Sequence, residues 1–94
     1  METGYSIRAR VETITANTQL TDTIYSGWLA VNIGTAAVSV YGVELLPGEG
    51  LSSQSIVNMS PADKWTEPIG ITVQPGGAVR LIRTITTPII KERV

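Results

Sequence analysis

The chain has 94 residues, seven Lys and Arg against eight Asp and Glu, two Trp, three Tyr, no Phe, and neither Cys nor His. That length suits one domain, residues 1–94, with one modest core. Without Cys or His it can build no thiolate or imidazole metal site, Cys nucleophile, disulfide or Ser-His-Asp triad. The net charge of −1, with Arg8/Arg10, Lys64, Arg80/Arg83 and Lys91/Arg93 spread along the chain, offers phosphate no global attraction, so no nucleic-acid partner is expected. No run approaches the ∼20 apolar residues that span a bilayer, and Met1 to Tyr5 lacks the basic and apolar segments of a signal peptide. Production in the cytoplasm, or assembly there into something larger, with no membrane partner, is the expectation.

β-branched residues and short alternations dominate, and no apolar helical stripe of useful length occurs, so the predicted class is all-β. The first strand is expected over Tyr5 to Thr15, with Ile7, Ala9 and Val11 on one face and a charged outer face of Arg8, Arg10 and Glu12. A short strand follows from Leu20 to Tyr25. Trp28 to Ile33 is the most apolar stretch and reads as a central strand with Trp28 in the core. Gly34-Thr35 turns into Ala37 to Leu45, where Gly42 interrupts the alternation as a bulge or turn would.

Pro47-Gly48-Glu49-Gly50 is a strong turn signal, and Leu51 to Val57 reads as the next strand. Within the irregular stretch Asn58 to Pro68, Ser60 could cap one helical turn beginning at Pro61. Ile69, Ile71 and Val73 alternate, Pro75-Gly76-Gly77 turns, and Val79 to Thr86 is the last main strand with Arg80 facing out. The two Pro-Gly turns suggest two hairpins of similar design. Seven to eight short antiparallel strands fit a single β-sandwich or jelly-roll-like domain, with residues 87–94 a tail available for contacts between subunits.

Candidate chemistry is sparse. Glu44, Glu49, Asp63 and Glu67 are the only candidates for acid-base work, and as turn residues they are expected to be solvated rather than convergent. Thr13, Thr15, Thr18, Thr21 and Thr23 suit strands better than nucleophiles, because no His is present to activate a hydroxyl. No catalytic, cofactor or metal-binding residue is assigned. Arg8, Arg10, Arg80 and Arg83 would form a basic stripe if the first and last strands were neighbours, with cross-strand pairing to Glu12 the preferred reading. Trp65 either plugs the end of the sandwich or contacts a partner. Leu81, Ile82, Ile85, Ile89 and Ile90 make the C-terminal segment more apolar than a solvated edge should be; it either packs on its own sandwich or joins a second chain, and 43% apolar residues in so short a chain favour the homo-oligomer.

The run Gly27-Trp28-Leu29-Ala30-Val31-Asn32-Ile33-Gly34-Thr35, then Val38-Ser39-Val40-Tyr41-Gly42-Val43-Glu44-Leu45-Leu46-Pro47-Gly48-Glu49, resembles small β-sandwich virion proteins of tailed bacteriophages. Gln74-Pro75-Gly76-Gly77 is similar to their closing hairpin. The resemblance implies a non-enzymatic particle component, a head-decoration, head-fibre or tail-associated subunit. It also implies assembly in the host bacterial cytoplasm, contact with other virion proteins and self-association, with a trimer slightly favoured. A carbohydrate- or surface-binding module using Trp65 and a tyrosine is the alternative.

Overall fold

The computed structural model describes residues 2–60 and 62–91, and for residues 2, 3 and 89–91 the backbone alone. Eight strands form, β1 (Glu2–Ile14), β2 (Thr18–Leu20), β3 (Gly27–Asn32), β4 (Val38–Val40), β5 (Val43–Leu45), β6 (Gly50–Ser52), β7 (Ile69–Val73) and β8 (Val79–Lys91), with one short helix, α1 (Ser53–Ile56). They make two antiparallel four-stranded sheets, β1-β8-β3-β6 and β2-β7-β4-β5. Between the sheets lie Ile14, Trp28, Ala30, Val38, Val40, Leu45, Trp65, Ile69, Ile71, Val79 and Leu81. The all-β sandwich expected from the alternation is the fold observed.

The turns explain how the chain passes from one sheet to the other. Leu46 to Glu49 and Gln74 to Gly77 each close with the fourth N–H donating to the first carbonyl, at 2.9 and 2.8 Å. Proline holds the first corner of each, and Gly48 and Gly76 take positive φ values of 88° and 86° at the second. The turns do share a design, but neither closes a hairpin. Each carries the chain across the sandwich, from β5 to β6 and from β7 to β8. The tight hairpin is instead β4–β5, where Tyr41 and Gly42 both adopt positive φ, 53° and 76°, the combination that matches strand twist in a two-residue turn.

Asn32 organises the corner where these turns meet. Its buried amide donates to the carbonyls of Ala36 at 2.8 Å and Leu45 at 2.9 Å, while its side-chain oxygen accepts the Gly34 N–H at 3.0 Å. The Gly34 Cα lies so close to the second Pro-Gly turn that a Cβ there would stand 2.5 Å from both the Gly76 carbonyl oxygen and the Ala78 nitrogen. Asn32 to Ala36, Leu45 to Glu49 and Gln74 to Ala78 thus meet at this corner.

Several expectations are corrected. Residues 21–25 are not a strand. Strand β6 ends at Ser52, because the Ser52 and Ser55 hydroxyls cap each other's backbone and nucleate α1 at 53–56. Ser60, Ala62 and Asp63 are not helical, Asp63 accepting the Ser60 N–H at 2.8 Å to close a turn, and Pro61, where the expected helical turn began, lies outside the described residues. The last strand does not stop at Thr86 but continues through Pro88 to Lys91, so residues 87–91 of the expected tail belong to the sheet; Glu92, Arg93 and Val94 lie outside the described residues.

Candidate assembly surface

The first and last strands are neighbours, paired in one register from Glu2 opposite Lys91 to Ile14 opposite Val79. Strand β3 lines the other side of β8 only from Asn32 opposite Val79 to Gly27 opposite Thr84. Beyond that point, Glu2 to Arg8 and Ile85 to Lys91 form a two-stranded arm, and the molecule measures 58 × 20 × 19 Å. Two-stranded ribbons are marginally stable alone in water.

Which face of β1 points inward is decided by its neighbours. Val79, Leu81 and Arg83 of β8 share a face with Trp28, Ala30 and Asn32 of β3, all buried. Register then puts Arg10, Glu12 and Ile14 on that same inner face. The expected charged exterior of β1 is therefore inverted: Ile7 and Val11 stand outside at 69% and 60% exposure, with Tyr5 at 44% and Leu29 at 39%. Val11, Ile82 and Leu29 lie in one row across three strands, and Ala9, Thr84 and Gly27 in the next. Among the described side chains of β1, β8 and β3 on this outer face, from Tyr5 to Thr13 and their partners, Arg80 carries the single charge. Between the arm and the α1 segment runs an open groove of ≈ 530 Å³, with Tyr5, Ile7, Leu29, Ile82 and Met59 among its lining.

On the inner face the charges are absorbed internally. Arg83, 3% exposed, pairs with Glu12 and, at 3.2 Å, with Asp22, and its guanidinium lies 4.1 Å from the centre of the Tyr25 ring. Arg10 reaches Glu12 at 3.4 Å and donates to the Tyr25 hydroxyl at 3.5 Å. That hydroxyl bond, then the Glu12 charge, holds the Arg10 guanidinium above its ordinary pKa. Of the stripe, Arg83 pairs with Glu12 across strands and Arg10 with Glu12 along β1, while Arg8 makes no ion pair among the described residues and Arg80 sits on the opposite face.

The remaining candidates separate clearly. Trp65 is buried, edge-on to Trp28 and to Tyr41 with ring centroids 5.4 Å apart in both pairs, so it plugs the end of the sandwich and offers no open face to a sugar. Leu81 is fully buried between the sheets and is not a surface residue. Ile82 is half-buried on the outer face, and Ile85 is half-buried on the arm. Ile89 and Ile90 pair with Gly4 and Thr3 within the sheet, and their side chains lie outside the described residues. Each acidic candidate has a local role or none. Glu49 accepts the Leu46 N–H of its own turn at 2.7 Å, Asp63 accepts Ser60, Glu67 accepts the Tyr41 hydroxyl, and Glu44 stands exposed opposite Ser39. Sequence reasoning missed Tyr5, Ile7, Val11 and Leu29 as surface residues, since alternation identifies two faces without saying which is inside.

The fold and this surface define a small two-sheet β-sandwich with an apolar outer face and a projecting arm. No family model matches the chain, and no curated protein or solved structure matches it either.

Proposed function

We propose that the chain is a non-enzymatic structural subunit of a bacteriophage virion, a head-decoration, head-fibre or tail-associated protein, that works by burying the outer face of its first sheet against other subunits. The observation that carries the reading is the combination of Ile7, Val11, Tyr5 and Leu29 exposed on one sheet face with a two-stranded arm running past its third strand. Exposed apolar patches larger than a few hundred Å² are rare on monomers and mark contact sites. At about 3.4 Å per residue and about 4.8 Å per strand, three strands over the six residues of β3 and two over the remaining seven of β1 give about 500 Å² per copy, the size of a small interface. The motif resemblance supplies the virion context and the host bacterial cytoplasm as the place of assembly. Other virion proteins and further copies of the chain are the partners.

The test is quantitative mass spectrometry of purified particles from the source that encodes the chain. Many copies per particle, resistant to salt washing, are expected. A chain found only free in the lysate overturns the reading.

A further inference from the structure

We propose that the outward edge of β1 is a pairing edge for a second copy of this chain, the two β1 strands lying antiparallel across a two-fold axis so that two four-stranded sheets become one. This deepens the assembly reading and rests on it.

The phase of the ladder shows which backbone groups are free. Ile33 donates to the Ala78 carbonyl at 2.8 Å, in the same register that pairs Gly27 with Thr84. Antiparallel pairing alternates, so the even-numbered residues of β8 direct their backbone groups towards β3 and the odd-numbered ones towards β1. By the β1–β8 register, Arg8, Arg10 and Glu12 bond inward to β8, and Tyr5, Ile7, Ala9, Val11 and Thr13 direct N–H and C=O to the open side. Among the described residues, no side chain bonds to these groups, and β1 holds no proline.

The other edges are short or closed. Strands β2, β5 and β6 have three residues each. Where β8 runs past β3, its free edge is blocked: Thr86 donates its N–H to Ser26 Oγ at 3.2 Å, the Thr86 carbonyl accepts from Lys64 Nζ at 3.0 Å, and Pro88 has no N–H. Proteins blunt exposed edges in these ways. Here the device is applied to β8 and withheld from the longest open edge.

Self-complementarity selects a second copy as the occupant. With Val11 on the two-fold axis, Arg10 stands opposite Glu12 of the second copy, and Glu12 opposite the second copy's Arg10. Over the stretch the two β1 strands then share, residues 8–14, the outward-bonding residues meet one another, Val11 against Val11 and Ala9 against Thr13. The Arg10 side chain, 60% exposed, is free to reach the Glu12 of the second copy, whose carboxylate is 27% exposed while it holds Arg83. The pairing is isologous, as a closed two-fold interface requires, and makes a dimer where the resemblance favoured a trimer. It also doubles the apolar outer face offered to a particle.

Residue-resolved amide exchange on the full chain, across a concentration series followed in parallel by sedimentation, tests the edge. Association is expected to slow the amides of Ala9, Val11 and Thr13 by about tenfold or more, while Tyr5 and Ile7, past the end of the second copy's β1, exchange as before and Arg8, Arg10 and Glu12 stay protected throughout. Ala9→Pro removes one outward N–H without touching the β1–β8 ladder and is expected to abolish association with the far-UV spectrum retained. Arg10→Glu, on an exposed side chain, sets like charges opposite each other and is expected to weaken association without introducing proline. A wild-type chain that stays monomeric, outward amides that exchange freely in the associated form, or association unchanged in both variants overturns the proposal. Protection that arises only with an unlike strand-donating protein overturns the second copy as occupant. Association lost in Leu29→Lys but kept in Ala9→Pro overturns the edge and leaves face burial standing, whereas edge dimers from a chain absent from particles overturn the virion reading alone.

Discussion

Arg83 of β8 is bonded to Glu12 of β1 inside the sandwich, on the face turned towards the second sheet, with the Arg83 side chain only 3% exposed. In register Arg83 faces Arg10, a like charge, and the arrangement holds because Glu12, Asp22 and the Tyr25 ring surround the two cations. Holding these charges inside commits the alternate residues of β1, Ile7 and Val11, to water.

Replacing Arg83 by Met is therefore expected to destabilise the fold by about 2–3 kcal/mol, below the about 3–5 kcal/mol of a fully buried broken pair because Glu12 and Asp22 keep access to water. Glu12→Gln should cost less, since Asp22 remains. Urea unfolding midpoints of the two variants check the order.

The corner built on Asn32 makes a sharper demand. Asn32→Ala leaves the Leu45 and Ala36 carbonyls and the Gly34 N–H without their partner, an expected loss of about 3 kcal/mol. Gly34→Ala should be destabilising by at least about 2 kcal/mol through overpacking. Gly70→Ala, where a Cβ meets nothing within 4 Å, is expected within about 0.5 kcal/mol of wild type in the same unfolding experiment.

Trp65 holds the end of the sandwich and, with Trp28, supports the Tyr41 ring above a backbone in the left-handed region. Trp65→Ala should cost about 3–5 kcal/mol by cavity formation. In the wild type, tryptophan fluorescence should be blue-shifted and poorly quenched by acrylamide. Glycan binding that survives Trp65→Ala would show that any sugar site lies elsewhere.

Tyr41 donates its hydroxyl to Glu67, and that bond, with burial and the carboxylate charge behind it, raises the phenol above its ordinary pKa. A raised folded pKa favours the protonated form in the native state. The contribution is complete below the ordinary phenol range and is lost as pH climbs through the raised value. Near-UV absorbance titration should show one tyrosine ionising late, returning towards the ordinary range in Glu67→Gln.

Much of the fold was legible locally. Trp28 to Ile33 announced a central strand, one residue longer at its end than β3, Pro47-Gly48 and Pro75-Gly76 announced turns, and Gly42 marked the break between β4 and β5. What stayed hidden was relational. A Pro-Gly turn has one local geometry whether it joins neighbours in a sheet or crosses between sheets, and the crossing depends on what Asn32 bonds. The alternation Ile7-Arg8-Ala9-Arg10-Val11-Glu12 has two faces, and the choice between them was made by Trp28 and Leu81 on neighbouring strands. Ser52 and Ser55 spelled a capping signal, but Leu51 to Val57 also read as a strand and the β-rich context hid it.

The central claim is that the outer face of the first sheet is covered in the working protein. Sedimentation velocity across a concentration series, comparing the wild type with Ile7→Lys, tests it most directly, because Ile7 is 69% exposed and its replacement costs the monomer almost nothing. The expected result is a wild type that forms species heavier than a pair of 10.0 kDa chains, with those larger species lost in Ile7→Lys, edge pairing retained and the unfolding midpoint unchanged. A wild type that sediments as a monomer at every concentration, indistinguishable from Ile7→Lys, would contradict it.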